Sequence, residues 1–299
     1  MTDRLLYLAV VAIWGTTWIM IKFQIGVVPP EVSVAYRFAI AALFMFAWVA
    51  VRRLPLRFSP RDHLFIALQG ALIFSTNFVL FYLAAVSLST GLLAVVFSTA
   101  SIMTLLLTAV LKRQRLSART ALGALLGCSG IALVFWPEIA AFSLGSGAGL
   151  GLLLSLGGTL SFSLGGLVAA RNQAAGLSVR GSTAWAMAYG TLLLNLFVVL
   201  RGADFTFDPA FAYVGSLLYL AVFGSVIAFA CYFALLARIG AERSAYATVL
   251  FPIVALTIST LFEGYHWSAI ALIGVPLILA GNLLVLAKPR TGAFRASGG

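Results

Sequence analysis

Acidic side chains are scarce in this chain: its 299 residues include only 8 Asp and Glu, with 2 His and 2 Cys. Clustered His, Asp or Glu, or a metal they hold, is what hydrolytic and lipid-modifying chemistry needs. His63 and His266 are predicted on opposite membrane faces, and no Gly-x-Ser-x-Gly, His-Glu-x-x-His or phosphate-loop pattern occurs. An enzyme is therefore not expected, and neither a metal nor any other cofactor is called for. Cys128 and Cys231 sit inside apolar runs without metal-ligand spacing and read as packed thiols. Charge of either sign is low, 9% of residues against 62% hydrophobic, which excludes a soluble domain with a charged surface. The net charge of +11 is not a nucleic-acid signature, because the basic residues lie in short links between apolar runs.

What the chain does have is apolar runs long enough to cross a bilayer, which takes about twenty residues each. They fall at 4–22, 31–51, 64–84, 89–110, 118–136, 148–170, 180–200, 212–236, 243–262 and 267–287. The first run ends at Trp18-Ile19-Met20-Ile21-Lys22 with no small-residue cleavage site, so a retained helix is expected rather than a signal peptide. Counting the links alternately, one side collects 16 of the 19 basic residues, including Arg52, Arg53, Arg57, Arg61, Lys112, Arg113, Arg115 and Arg119. The other side holds Lys22 and Arg201 with Glu31, Glu138, Asp204, Asp208 and Glu263. The positive-inside rule then places both termini in the cytoplasm.

An internal repeat divides the runs. Leu116-Ser117, Gly123, Gly130, Leu133 and Val134 recur as Trp267-Ser268, Gly274, Gly281, Leu284 and Val285, each pair 151 positions apart, and Phe81-Tyr82 pairs with Tyr232-Phe233 at the same offset. Five spans per copy is odd, so the second copy enters from the opposite face. The expected fold is all-α, ten transmembrane helices in a 5+5 inverted repeat: 1–140 the first copy, 141–290 the second, 291–299 a disordered tail. Ten helices can enclose a cavity without a second chain, so a monomer in the lipid bilayer is the default.

Trp14-Gly15-Thr16-Thr17, Arg37-Phe38-Ala39, Asn77 through Ala84 and the glycine-spaced fifth and tenth runs resemble the ten-helix, EamA-type members of the drug/metabolite transporter superfamily, over essentially the whole chain. Within it the sequence looks most like the bacterial amino-acid exporters, particularly those for aromatic amino acids. The resemblance implies an inner-membrane secondary transporter with small-molecule substrates, exporting aromatic and other neutral amino acids; efflux of drugs or metabolites such as nucleosides is the alternative. Two departures stand out. The fourth run ends in the non-acidic Lys112-Arg113-Gln114-Arg115, where relatives commonly carry a Gly-Glu-Arg-like motif. The first run lacks the embedded Glu that small multidrug relatives use to exchange protons.

Depth along each run, at about 1.5 Å per residue, selects the candidate substrate-binding residues. Ser98, Thr99 and Ser101 lie in the hydroxyl-rich stretch Phe97–Thr104, whose repeat counterpart is interrupted by Pro252. Each hydroxyl could instead bond back to its own helix, and Pro252 could be a kink alone. Asn77, with Phe78 beside it, offers donors and an acceptor, or else a helix–helix hydrogen bond. Trp14, Trp18, Tyr82, Trp185, Tyr189 and Tyr232 lie deep enough to line a pocket or to pack between helices. No Asp, Glu, Lys or His falls in that layer, so a neutral cavity lined by rings and hydroxyls is expected. Arg37, near Glu31, reads either as a side chain snorkelling to the outer surface or as a gating residue that guides a carboxylate.

Overall fold

The computed structural model describes residues 2–111, 113, 118–134, 136, 147–232, 234–235, 238, 247–265 and 267–286. Lys112, Gln114 to Ser117, Glu138, Phe233, His266 and the 291–299 tail lie outside them. Among the described residues there is no strand. Helices α1 (Asp3–Lys22), α2 (Pro30–Val51), α3 (Pro60–Ala84), α4 (Thr90–Leu111), α5 (Ala118–Val134), α6 (Gly147–Ala174), α7 (Val179–Leu200), α8 (Phe211–Tyr232), α9 (Ala247–Phe262) and α10 (Ala269–Leu286) follow the apolar runs. Among the described residues seven of these, α1 to α4 and α6 to α8, are long and apolar enough to cross a membrane, and the apolar stretches of α5, α9 and α10 are shorter.

Serines in the short links start several of the helices. The Ser59, Ser89 and Ser178 hydroxyls accept hydrogen bonds from the backbone N–H groups of Asp62, Leu92 and Gly181, and such a cap is worth about 1 kcal/mol. The outside of the bundle is apolar: Phe211 is 92% exposed and Val51 81%, with Leu43, Val110 and Leu200 also outward. Ser33, Ser98, Thr159, Ser163 and Ser225 are buried. This is the reverse of a soluble protein, and an apolar exterior of that extent is matched by lipid. The chain is a multi-pass membrane protein.

Three irregularities fall inside the spans. Helix α3 widens to a π-helical stretch over Gly70–Thr76, where the Asn77 N–H reaches back to Leu72 O. Helix α8 does the same over Leu220–Ile227, with the Ala228 N–H on Phe223 O. Helix α4 breaks at Thr99, whose N–H turns to Val96 O at 3.1 Å. Proline adds two more positions without a backbone donor, Pro252 in α9 and Pro276 in α10.

Helices α5 and α10 pair through glycine. A Cβ placed on Gly130 would lie 2.6 Å from Gly274 O, one on Gly274 2.7 Å from Gly130 O, and one on Gly281 2.5 Å from Gly123 O. No side chain fits at those distances, so the two backbones touch directly. Helices α1, α2, α3, α4, α6, α8 and α9 all send side chains to one internal space, which no described residue of α5 or α10 lines.

Candidate functional site

The internal space is a cavity of about 50 Å³, lined by Trp14, Thr17, Trp18 and Ile21 of α1, Arg37 of α2, Asn77, Phe78 and Phe81 of α3, Phe97 of α4, Phe162 of α6, Gly224 and Phe229 of α8, and Phe251 of α9. The α1 contribution follows from helical spacing, since positions 14, 17, 18 and 21 form a single stripe. The rings hold one another. Phe81 and Phe97 meet Trp18 at 5.2 and 5.7 Å, and Phe251 stacks on it at 6.3 Å with the planes 17° apart. Trp14 packs on Phe229 at 5.5 Å and on Tyr232 at 5.1 Å, and Phe97 on Phe162 at 4.7 Å. Pairs of this kind contribute about 0.5–1.5 kcal/mol each beyond area burial, so the aromatic wall is stiff. About 50 Å³ holds a few water molecules, at roughly 15 Å³ each. An amino acid enters only if the helices move.

One charge stands in this wall. Arg37 is 2% exposed, so its side chain neither snorkels to a surface nor pairs with Glu31. Its Nε donates to Ser225 Oγ at 3.1 Å and its Nη1 to Tyr82 Oη at 3.4 Å. Its guanidinium carbon lies 4.4 Å from the centroid of the Phe78 ring. Among the described residues no carboxylate lies within ion-pair distance of it. The expectation of a neutral cavity is corrected here. Depth along a run told how far Arg37 sits from the helix end but not which way it faces, and it faces inward.

A second cavity of about 260 Å³ lies between α2, α7 and α8, lined by Met45, Leu54, Arg180, Thr183, Val226 and Phe229 among others. Phe229 lines both the central space and the larger one beside Arg180.

The family model described as "EamA-like transporter family" matches residues 4–136 and 149–287. The chain belongs to this family. Among relatives, protein PagO of Salmonella typhimurium strain LT2 is 22% identical over 289 residues, covering 95% of this chain and 93% of that protein. A "Probable amino-acid metabolite efflux pump" of the same organism is 25% identical over 288 residues, covering 93% of each. The "Uncharacterized inner membrane transporter YedA" of Escherichia coli K12 is 26% identical over 298 residues, covering 94% and 92%. A solved crystal structure superposes with a TM-score of 0.68 at 17% identity over 94% of this chain and 95% of its own, which shows the same fold.

Of the residues picked out by depth, this EamA-family cavity brings together Trp14, Trp18, Asn77, Phe78 and Arg37. Tyr82 and Tyr232 stand one layer behind, Tyr82 on Arg37 and Tyr232 on Trp14. Pro252 is buried next to the lining residue Phe251. The hydroxyl cluster turns elsewhere. Ser98 donates to Val95 O at 2.7 Å and Thr99 to Val96 O at 2.7 Å, while Ser101 donates to Asn282 Oδ1 of α10 at 2.6 Å. Trp185 and Tyr189 stack on each other at 5.7 Å in a separate group with His63, and Trp185 donates to Leu56 O in the link between α2 and α3. Depth along the runs does not single out Phe97, Phe162, Phe229 and Phe251, which also line the cavity. Nothing distinguishes them from the rest of the 23 Phe except spacing against other helices.

Proposed function

We propose that this EamA-family protein is an inner-membrane secondary transporter that exports amino acids, aromatic and other neutral ones, and that it is not an enzyme. The observation that carries the reading is the central cavity: a wall of Trp and Phe rings with one polar corner, at the meeting point of seven helices. Rings suit an apolar or aromatic side chain, and a polar corner suits an amino-acid head group. The two relatives named as probable amino-acid metabolite efflux pumps, in S. typhimurium and in E. coli at 23% identity over 288 residues, support the substrate class.

Transport proceeds by alternating access between two copies of a five-helix unit, with ten spans in all and both termini in the cytoplasm. Several observations support this. The π-helical stretches Gly70–Thr76 and Leu220–Ile227 overlap when the chain is displaced by 151 positions. The same displacement turns the Gly123–Gly281 contact into the Gly274–Gly130 contact, as a two-fold axis between α5 and α10 requires. The matched segments 4–136 and 149–287 coincide with the two halves. Among the described residues no carboxylate lines the cavity, which favours facilitated movement or exchange over proton antiport.

The test is a melting-temperature panel on the purified protein with amino acids, nucleosides and cationic dyes. A ligand at a hundred times its dissociation constant stabilises by about 2.7 kcal/mol. Aromatic amino acids are expected to raise the melting temperature. Stabilisation by nucleosides or dyes, with none by any amino acid, would assign the cavity to the alternative substrate class.

A further inference from the structure

We propose that Arg37 is the anchor for a carboxylate on the transported solute, so that the cavity selects carboxylates carrying an apolar or aromatic body. The proposal deepens the amino-acid reading and rests on it for the identity of the solute, but not for the anchor itself. A guanidinium buried to 2% exposure in a membrane-spanning bundle is costly to hold unless a counter-charge meets it. Two hydroxyls and the rings of Phe78 and Phe38, with centroids 4.4 and 5.4 Å from the guanidinium carbon, are what the described residues supply. These offset part of that cost, and no carboxylate among the described residues matches the charge.

The surroundings are built to aim the group. Ser225 lies in the π-helical stretch of α8 and donates its own hydroxyl proton to Leu220 O at 3.0 Å, which turns an oxygen lone pair toward Arg37 Nε. Tyr82 fixes Nη1. Nη2 makes no hydrogen bond to a described residue. Gly224 leaves the room beside it: a Cβ there would lie 3.4 Å from Nη2 and 2.7 Å from Thr17 Cγ2. Gly224, Arg37 and Thr17 all line the cavity, so the free edge of the guanidinium borders the space a solute would occupy. A carboxylate there gains a charge-assisted hydrogen bond to a donor already oriented before it arrives.

Asn77 completes the head-group site. Its Nδ2 donates to Gly158 O at 2.8 Å, which leaves the amide Oδ1, on a residue that lines the same cavity, to accept from an ammonium. Trp14, Trp18 and Phe251 then face the solute's body.

The experiment measures binding by thermal shift in detergent, with phenylalanine, phenylalaninamide, 3-phenylpropionate and 3-phenylpropionamide as probes. In the native protein each carboxylate is expected to bind about tenfold or more tightly than its amide. In Arg37→Gln that preference disappears. If Arg37→Gln does not fold, Ser225→Ala serves in its place, and a several-fold loss of the carboxylate preference is expected. Equal binding of acid and amide by native protein, or an undiminished preference in the variant, overturns the anchor. If 3-phenylpropionate binds through Arg37 but phenylalanine does not, the anchor stands and the amino-acid reading falls. If phenylalanine and its amide bind equally, the amino-acid reading stands and the anchor falls.

Discussion

Removing the Glu263 carboxylate should loosen one end of the bundle, and the structure says by how much. The side chain is 3% exposed and sits where α1, α4 and α9 converge. Its Oε2 accepts from Thr90 N at 3.0 Å, Thr90 Oγ1 at 2.7 Å and Ser259 Oγ at 2.6 Å. Thr90 is the first residue of α4, so the carboxylate also faces the positive pole of that helix. Lys22 Nζ lies 3.8 Å from Oε1, but with its side chain 53% exposed it adds at most about 1 kcal/mol. The hydrogen bonds therefore dominate: three donors share the two lone pairs of one oxygen, so they count as about two bonds to a charged acceptor, at about 1.5 kcal/mol each, or about 3 kcal/mol. At about 2–4 °C per kcal/mol for a chain of this order of size, Glu263→Ala should lower the melting temperature by about 6–12 °C, and Lys22→Ala by about 2–4 °C or less. Intrinsic tryptophan fluorescence of the purified variants in one detergent reads both. A drop of about 2 °C or less for Glu263→Ala would show that the carboxylate does not join these helices.

Gly274→Ala forces a methyl group to 2.7 Å from Gly130 O and should cost about 1–3 kcal/mol, whereas Gly166→Ala, with nothing within 4 Å, should be neutral or slightly stabilising; their melting temperatures separate the two. Phe229→Ala should join the central cavity to the one beside Arg180. In a background with Cys128 and Cys231 replaced by Ser, Thr17→Cys should then react faster with a water-soluble thiol reagent, and an unchanged rate would show that Phe229 is not the partition. Ser101→Ala breaks a bond to Asn282 away from the cavity, so it should lower stability by about 1 kcal/mol and leave ligand affinity unchanged. Trp18→Ala should do the opposite in kind, weakening phenylalanine about tenfold while affecting alanine little, as measured by ligand-induced thermal shift.

The helices were legible because a bilayer sets a length, and apolar runs of that length have few other uses. The break at Thr99 falls in the hydroxyl-rich stretch, but the hydroxyls alone did not announce it. The site was less legible because position along a run gives depth and not azimuth. Arg37 looked close enough to an end to snorkel, yet it turns inward to Ser225, a residue 188 positions away. Ser98, Thr99 and Ser101 sit at the expected level of α4, but they bond to their own helix or to α10. Trp185 and Tyr189 belong to the His63 group rather than to the cavity. The stripe Trp14, Thr17, Trp18, Ile21 could have been read in full from its spacing. Phe97 and Phe251 could not, since their roles depend on where α4 and α9 cross α1. The π-helical stretches carry no sequence mark at all. One of them begins where Gly70 of α3 lies directly on Ala186 O of α7.

Passage of amino acids through this protein, as proposed above, is tested by counterflow without depending on any one residue. Proteoliposomes loaded with unlabelled phenylalanine should take up external labelled phenylalanine transiently above equilibrium, with saturation and with competition from tryptophan and leucine. No saturable counterflow for any amino acid, in vesicles whose protein is folded and inserted, would contradict the account.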